Sequence, residues 1–234
     1  MKLLKILLKK SEDVMKIVII NGSPRKNGAT AEILRKMEKR LAENGADTDF
    51  VNLCDLKISA CKGCCSCYKT GRCFIEDDGE MLSDKIAAAD GVIIGSPTYA
   101  SNISGLLKQF IDRGHFVIEQ LLYGKYAVSV VTGENYGSSD ASGILTKLLK
   151  YSGASLSGKI VCNLPFGGSL PQKLSGKIDF VADRLFGDIS AGRKYPLQSL
   201  VHKIIFTAGI KPFVEKKGES YSGVVSKWKN IGII

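Results

Sequence analysis

Five of the seven cysteines fall in one short run, Cys61-Lys-Gly-Cys64-Cys65-Ser-Cys67-Tyr-Lys-Thr-Gly-Arg-Cys73. Cys61, Cys64, Cys67 and Cys73 give the spacing C-x2-C-x2-C-x5-C. Short C-x2-C steps let one loop wrap several corners of a cubane, while the last thiolate returns from farther along. Gly63 and Gly71 allow the tight turns this needs. Four thiolates also suit zinc, but structural zinc sites usually pair two C-x2-C knuckles across a longer span. The crowding favours an iron–sulfur cluster of the [4Fe–4S] type, with Cys65 as a fifth candidate ligand and free or redox-active thiols as the alternative. A disulfide framework would be spread along a small secreted chain. Cys54 and Cys162 fall on predicted strands and read as packing residues.

A second group of residues suits an anion. Asn21-Gly22-Ser23-Pro24-Arg25-Lys26-Asn27-Gly28-Ala29-Thr30 joins a predicted strand to a predicted helix. Free backbone N–H groups and the positive end of a helix converge at such a junction and attract phosphate. Ser23 and Thr30 add hydroxyls, and Arg25 or Lys26 adds charge. The loop has neither the Lys-Ser/Thr of a Walker A sequence nor the G-x-G-x-x-G dinucleotide fingerprint. No cysteine opens it, which argues against a phosphatase nucleophile. The two histidines, His115 and His202, form no Ser/His/Asp set and read as surface or packing residues.

These loops need a scaffold. Short, nearly continuous apolar runs predict strands at 16–20, 48–53, 91–95, 126–131 and 155–162, the third breaking at Ser96-Pro97. Helical spacing predicts helices at 29–43, 80–89, 103–111 and 142–151. Such alternation is that of an α/β, doubly wound parallel sheet, and five strands fit the order 2-1-3-4-5 with the ligand between strands 1 and 3. Beyond residue 165, Leu197, Leu200, Val201, Ile204, Ile205 and Ala208 form an amphipathic stripe, expected to end at Gly209 and Pro212 and to dock on the body or on a second subunit. The division is an N-terminal extension 1–15, a sheet domain 16–165 with a cysteine-rich insertion 58–78, and a basic C-terminal helical extension 166–234.

The net charge of +10 is carried by the ends: eight basic residues of 189–234 face two acidic ones, and five lysines of 1–16 face two. No nucleic-acid recognition motif accompanies them, so no nucleic-acid partner is expected. No run approaches the ~20 apolar residues of a membrane span. The N-terminal run 3–8 is interrupted by Lys5 and lacks a cleavage site, which leaves the cytoplasm as the expected location.

Gly22-Ser23-Pro24-Arg25 with Asn27-Gly28 and Thr30 resembles the phosphate loop of NADPH-dependent FMN reductases. Gly95-Ser96-Pro97-Thr98-Tyr99-Ala100-Ser101-Asn102-Ile103-Ser104, leading to Phe110-Ile111-Asp112-Arg113, is similar to that family's second flavin loop. The cysteine run followed by Asp77-Asp78 resembles the iron–sulfur flavoprotein branch. Three motifs in the family's order, over 16–165, make the resemblance specific. It implies a flavodoxin-like fold binding FMN, with Ser23, Arg25, Asn27, Gly28 and Thr30 around the phosphate. Pro97, Thr98, Tyr99, Ala100, Ser101 and Asn102 would flank the isoalloxazine, with Thr132, Gly133 and Gly137 on a third loop. The chemistry agrees: a flat ring needs close backbone and small side chains, Tyr99 can stack, and Asn102 can hydrogen-bond. The resemblance further implies NAD(P)H or reduced ferredoxin as donor and a small-molecule acceptor (quinone, flavin, dioxygen or peroxide). It also implies a homodimer or homotetramer. The competing readings are a cluster-free NAD(P)H-dependent FMN or quinone reductase, a flavodoxin-like carrier without a substrate site, and a basic FMN-sensing module.

Overall fold

The computed structural model describes residues 14–165 and 167–234, so residues 1–13 of the expected N-terminal extension lie outside the described residues. Five long strands form the sheet: β1 (Lys16–Asn21), β2 (Asp47–Asn52), β3 (Gly91–Tyr99), β5 (Tyr126–Gly133) and β6 (Ser155–Asn163). They pair in parallel in the order β2-β1-β3-β5-β6. This is the expected doubly wound order of the long strands. The sixth strand, β4 (Asn102–Ile103), is a two-residue hairpin partner lying antiparallel on the end of β3.

The central strands are apolar on both faces because helices cover both. Ile17, Ile19, Ile93, Val128 and Val130 face one way, against Ile33, Leu34, Met37 and Leu41 of α1 (Ala29–Glu43) and Ile178, Val181, Ala182 and Leu185 of α6 (Gln172–Ser190). Val18, Ile20, Val92 and Ile94 face the other way, against α3 (Asp78–Ala88), α4 (Gly105–Arg113) and α5 (Ser138–Tyr151). The strand period of two sorts these neighbours into separate cores. The remaining short helix, α2 (Ser66–Thr70), lies inside the cysteine run.

Two expectations fail for local reasons. The third strand does not break at Ser96-Pro97 but continues to Tyr99, with Pro97 in register with Thr132 of β5. The Gly95 carbonyl accepts from Gly22 N at 2.8 Å, so by alternation Pro97 also faces the β1 side, and β1 has already ended at Asn21. A missing N–H costs nothing where no partner strand runs. The C-terminal stripe does not end at Gly209 and Pro212 either. After α7 (Pro196–Ile205) the chain passes through a π turn, Phe206–Ile210, into α8 (Lys211–Lys217), a 3-10 turn and α9 (Ser222–Asn230). The wider π turn makes room for the ring of Pro212.

These helices hold a third core of Phe206, Ile210, Val214, Tyr221, Val224 and Trp228. Trp228 Nε1 donates to the Ile118 carbonyl at 3.0 Å, which anchors α9 to the body. Of the expected docking stripe, Ile205 packs against this core while the rest of the α7 face stays outside it. Leu197 is 75% exposed, Leu200 54%, Val201 43% and Ile204 55%.

Candidate functional site

The loops after β1, β3 and β5 meet at the carboxyl edge of the sheet around an open cleft of about 740 Å³. In the first loop, Ser23 N donates to Asn21 Oδ1 at 3.1 Å and Arg25 N to Ser23 Oγ at 3.1 Å, two local side-chain turns that shape the backbone. Gly28 is the N-cap of α1 and no side chain caps the helix, so its first N–H groups are open to an anion at the cleft. Lys26 is drawn off instead. It pairs with Asp55, and this hydrogen-bonded ion pair raises the lysine pKa and lowers that of Asp55. Arg25 is the cation that lines the cleft.

Each loop is tied to both others. Ser104 Oγ donates to the Gly22 carbonyl at 2.5 Å, joining the first loop to the second. Thr30 and Thr132 share a hydroxyl hydrogen bond of 2.7 Å, joining the first to the third. Thr98 Oγ1 donates to Ser138 Oγ at 3.2 Å, joining the second to the third. Cross-bracing by short polar side chains holds the cleft in shape before anything binds.

The second loop is a two-residue hairpin. Ala100 and Ser101 both have positive φ, 48° and 59°, between the paired residues Tyr99 and Asn102. That is the left-handed pair of a type I′ turn, a strained choice for residues other than glycine, asparagine or aspartate. Gly137 seats it from behind, at φ 79° and against Ser101.

Eight of the expected residues therefore line the cleft: Arg25, Asn27, Gly28, Pro97, Thr98, Tyr99, Thr132 and Gly133. Ser23 and Thr30 are buried beneath it. Ala100, Ser101 and Asn102 form the hairpin tip, where Asn102 Oδ1 accepts its neighbour's N–H, from Ile103, at 2.8 Å. Glu32, Glu134, Leu164, Pro165 and Gly167–Ser169 also line the cleft without having been expected. Exposed Tyr136 stands on the third loop. The run Glu134-Asn-Tyr136-Gly between a strand and a helix was the available signal.

The cysteine run leaves β2 and returns to α3. All five of its thiols line one cavity of about 80 Å³. Left-handed Cys65, Gly63 and Gly71 fold it tightly. Cys65 directs its S–H to the Gly63 carbonyl at 3.6 Å, and Ser66 Oγ lies 3.3 Å from Cys64 Sγ, holding that thiol's pKa below its usual value. Burial, then Glu119 and the nearby Cys73, Cys61 and Cys64, push the Cys67 thiol up to about 11. Among the described residues no three thiols, imidazoles or carboxylates converge in metal-binding geometry.

Behind this loop lies a buried charge network. His115 Nδ1 is 2.6 Å from Glu119 Oε1, and His115 Nε2 is 2.6 Å from Glu80 Oε1. Glu80 Oε1 also accepts from Cys73 N at 2.8 Å, and Lys227 of α9 pairs with Glu119. Burial opposes the charge of His115, but its bonds to Glu119 and Glu80 outweigh it and raise the pKa. The expectation that His115 is an ordinary surface or packing residue is corrected accordingly. His202 is half-buried and bonded to Gln120 Oε1 at 2.6 Å, and burial lowers its pKa.

A doubly wound sheet with a cross-braced cleft at its switch point, an uncapped helix end within it and small-residue loops above defines a flavodoxin-like nucleotide-binding protein. Solved structures share this fold. An NADH:FMN oxidoreductase in its apo form aligns at TM-score 0.59 and 19% identity, over 80% of this chain and 94% of that one. An archaeal flavodoxin aligns at 0.53 and 12%, over 76% and 99%. Residues 15–167 match the NADPH-dependent FMN reductase family, and the chain belongs to that family of FMN-dependent oxidoreductases. An iron–sulfur flavoprotein of Clostridioides difficile is 36% identical over 94% of this chain and 100% of its own length. One from Archaeoglobus fulgidus is 36% identical over 58% of this chain and 63% of its own. No helix among the described residues is long and apolar enough to cross a membrane.

Proposed function

We propose that this protein passes electrons between NAD(P)H or reduced ferredoxin and a small-molecule acceptor through FMN and a [4Fe–4S] cluster. The observation that carries the cluster is the single cavity shared by Cys61, Cys64, Cys67 and Cys73. Four cysteines on one cavity, three of them at C-x2-C steps, are the soft donor set that an iron–sulfur cluster takes. Cys65, bonded back into its own turn, is left out of the ligand set.

The cleft suits FMN, since its volume falls in the range of cofactor sites. Arg25, Asn27 and the open N–H groups of α1 would take the phosphate, with Ser23 and Thr30 bracing the loop from beneath. Pro97, Thr98, Tyr99, Thr132 and Gly133 would border the ring, and the Ala100–Asn102 hairpin with Gly137 would fix its plane. Bound there, FMN supplies the redox chemistry, and the chain supplies orientation and electrostatics. Tyr99 and Tyr136 are exposed, which leaves room for a planar donor or acceptor to stack. The exposed face of α7 supports a homo-oligomer, in which a second copy covers Leu197, Leu200 and Ile204.

The test is anaerobic purification followed by flavin, iron and sulfide analysis and steady-state NAD(P)H oxidation. Equimolar iron and sulfide with bound FMN is expected. Near-zero iron at full FMN occupancy would remove the cluster, and reduction by a protein donor without acceptor turnover would favour a carrier.

A further inference from the structure

Arg113 ends α4 with its guanidinium almost completely buried, at 2% side-chain exposure. Nη1 pairs with Asp77 and lies 3.4 Å from the Ser59 carbonyl, while Nη2 donates to the Ile75 carbonyl at 3.2 Å. Ser59 precedes the cysteine run and Ile75 follows it. One planar cation therefore grips both ends of the loop. Asp77 strengthens the grip by accepting from Ser59 N at 2.8 Å and Gly79 N at 3.0 Å. Gly79 leaves space for this, since a Cβ there would come within 3.3 Å of the guanidinium.

One donor nitrogen is left over. Arg113 Nε is buried without a hydrogen-bond partner. An orphaned charged donor is costly, and an N–H of arginine has few reasons to stay buried except to meet an anion. Arg113 lines the same cavity as the five thiols. Burial works against its charge, but Asp77 and then the Cys73 sulfur favour it, and the net direction is upward.

We propose that Arg113 is a positioning residue for the thiolate set. It clamps the two ends of the cysteine loop and brings its unpartnered Nε–H, with a fixed positive charge, to the cavity that the thiols line. This inference rests on the cluster reading above. Positive charge and hydrogen bonds at the sulfurs favour the reduced form of an iron–sulfur centre. The shape of guanidinium matters as well, because lysine cannot reach two carbonyls and a carboxylate from one plane.

The test compares the full chain, purified anaerobically, with Arg113→Gln and Arg113→Lys. Iron, sulfide and FMN are measured, and the cluster is titrated with EPR detection. In Arg113→Gln the reduction equilibrium should shift at least tenfold toward the oxidised form, about 59 mV for a one-electron couple. Arg113→Lys should recover part of the shift. Equal midpoints in all three proteins at full iron content would overturn the proposal. Should Arg113→Gln not fold, Arg113→Lys decides through iron retained on gel filtration: a loss at unchanged FMN supports the clamp, and full retention overturns it. If the unmodified chain itself holds no iron, the cluster reading fails on its own. The clamp is then judged by trypsin cleavage within residues 57–78 of the FMN-loaded chain, where faster cutting in Arg113→Gln supports it and equal rates refute it.

Discussion

Replacing Gly137 by alanine tests whether the second cleft loop is seated by the third. The backbone there is left-handed, with φ 79°. For a residue with a Cβ that conformation costs about 1–2 kcal/mol. The new methyl would lie 2.5 Å from Ser101 Oγ and 2.7 Å from Ser101 Cα. The hydroxyl can turn away, but the Cα can move only with the whole Ala100-Ser101 turn. Overpacking of that kind adds roughly 1–3 kcal/mol. For a chain of this size each kcal/mol is worth about 2–4 °C, so the melting temperature should fall by roughly 5–15 °C. If the hairpin borders the flavin ring, its displacement should weaken FMN as well, by about tenfold for each 1.4 kcal/mol of binding lost. The assay is thermal denaturation followed by circular dichroism, with a flavin-fluorescence titration of the apoprotein. Gly143→Ala is the internal control. It lies in the same helix with open space around its Cβ position and should gain about 0.5–1 kcal/mol. If Gly137→Ala melts and binds FMN like the parent, the packing argument is wrong. A lower melting temperature with unchanged FMN affinity would refute only the loop's role at the ring.

Three further outcomes follow. His115 has a raised pKa between Glu119 and Glu80, with Lys227 the opposing cation, so its contribution to stability is complete below about pH 6.5, the usual histidine value. That contribution is lost as pH rises through the folded pKa, so melting temperature should decline there and decline less in His115→Gln; parallel profiles would exclude the network as the cause. Leu200→Asp with Ile204→Asp should reduce the mass seen by sedimentation while leaving circular dichroism unchanged, and an unaltered mass would show that α7 is not the contact. Gly223→Ala would push a Cβ to within 2.8 Å of the Lys69 carbonyl behind the cysteine loop. It should lower iron content at constant FMN, and loss of both together would mean a global defect.

Much of the scaffold was legible because it is written locally. Ile17 to Ile20 are apolar without alternation, and that continuity marks a strand covered on both faces. The place of the first cleft loop was legible because its glycines, serine and proline mark a strand-to-helix junction, where Arg25, Asn27 and Gly28 line the cleft. What stayed hidden depends on distance along the chain. Pro97 looks like a strand break until it is known that β1 ends first. The helix Gln172–Ser190 carries Ile178, Val181, Ala182 and Leu185 at helical spacing, a signal that was present but diluted by charged neighbours. The diversion of Lys26 to Asp55 and the pairing of Glu80 with His115 join residues 29 and 35 positions apart, and no local pattern announces them.

The two candidate sites are supported by different parts of the chain. The cleft is braced within the five-stranded unit, by Ser104 on Gly22, Thr30 on Thr132 and Thr98 on Ser138. The cysteine loop is held from outside that unit as well. Tyr68 stacks on Tyr221 at 4.6 Å, Ser222 Oγ donates to the Lys69 carbonyl at 3.2 Å, and Lys227 reaches Glu119. From Glu119 the network runs through His115 and Glu80 to the backbone of Cys73. The C-terminal helices thus brace the cysteine loop itself, and one of their lysines pairs with the buried Glu119. Helix α4 links the two regions, with Ser104 at its head against the loop after β1 and Arg113 at its foot against the cysteine loop, about 13 Å apart along nine residues. A strained hairpin over the cleft and a charged clamp on the thiols are therefore fixed to one rigid element. Under the proposed function, changes at either end can be read separately: flavin affinity would report the head of α4, and iron content its foot.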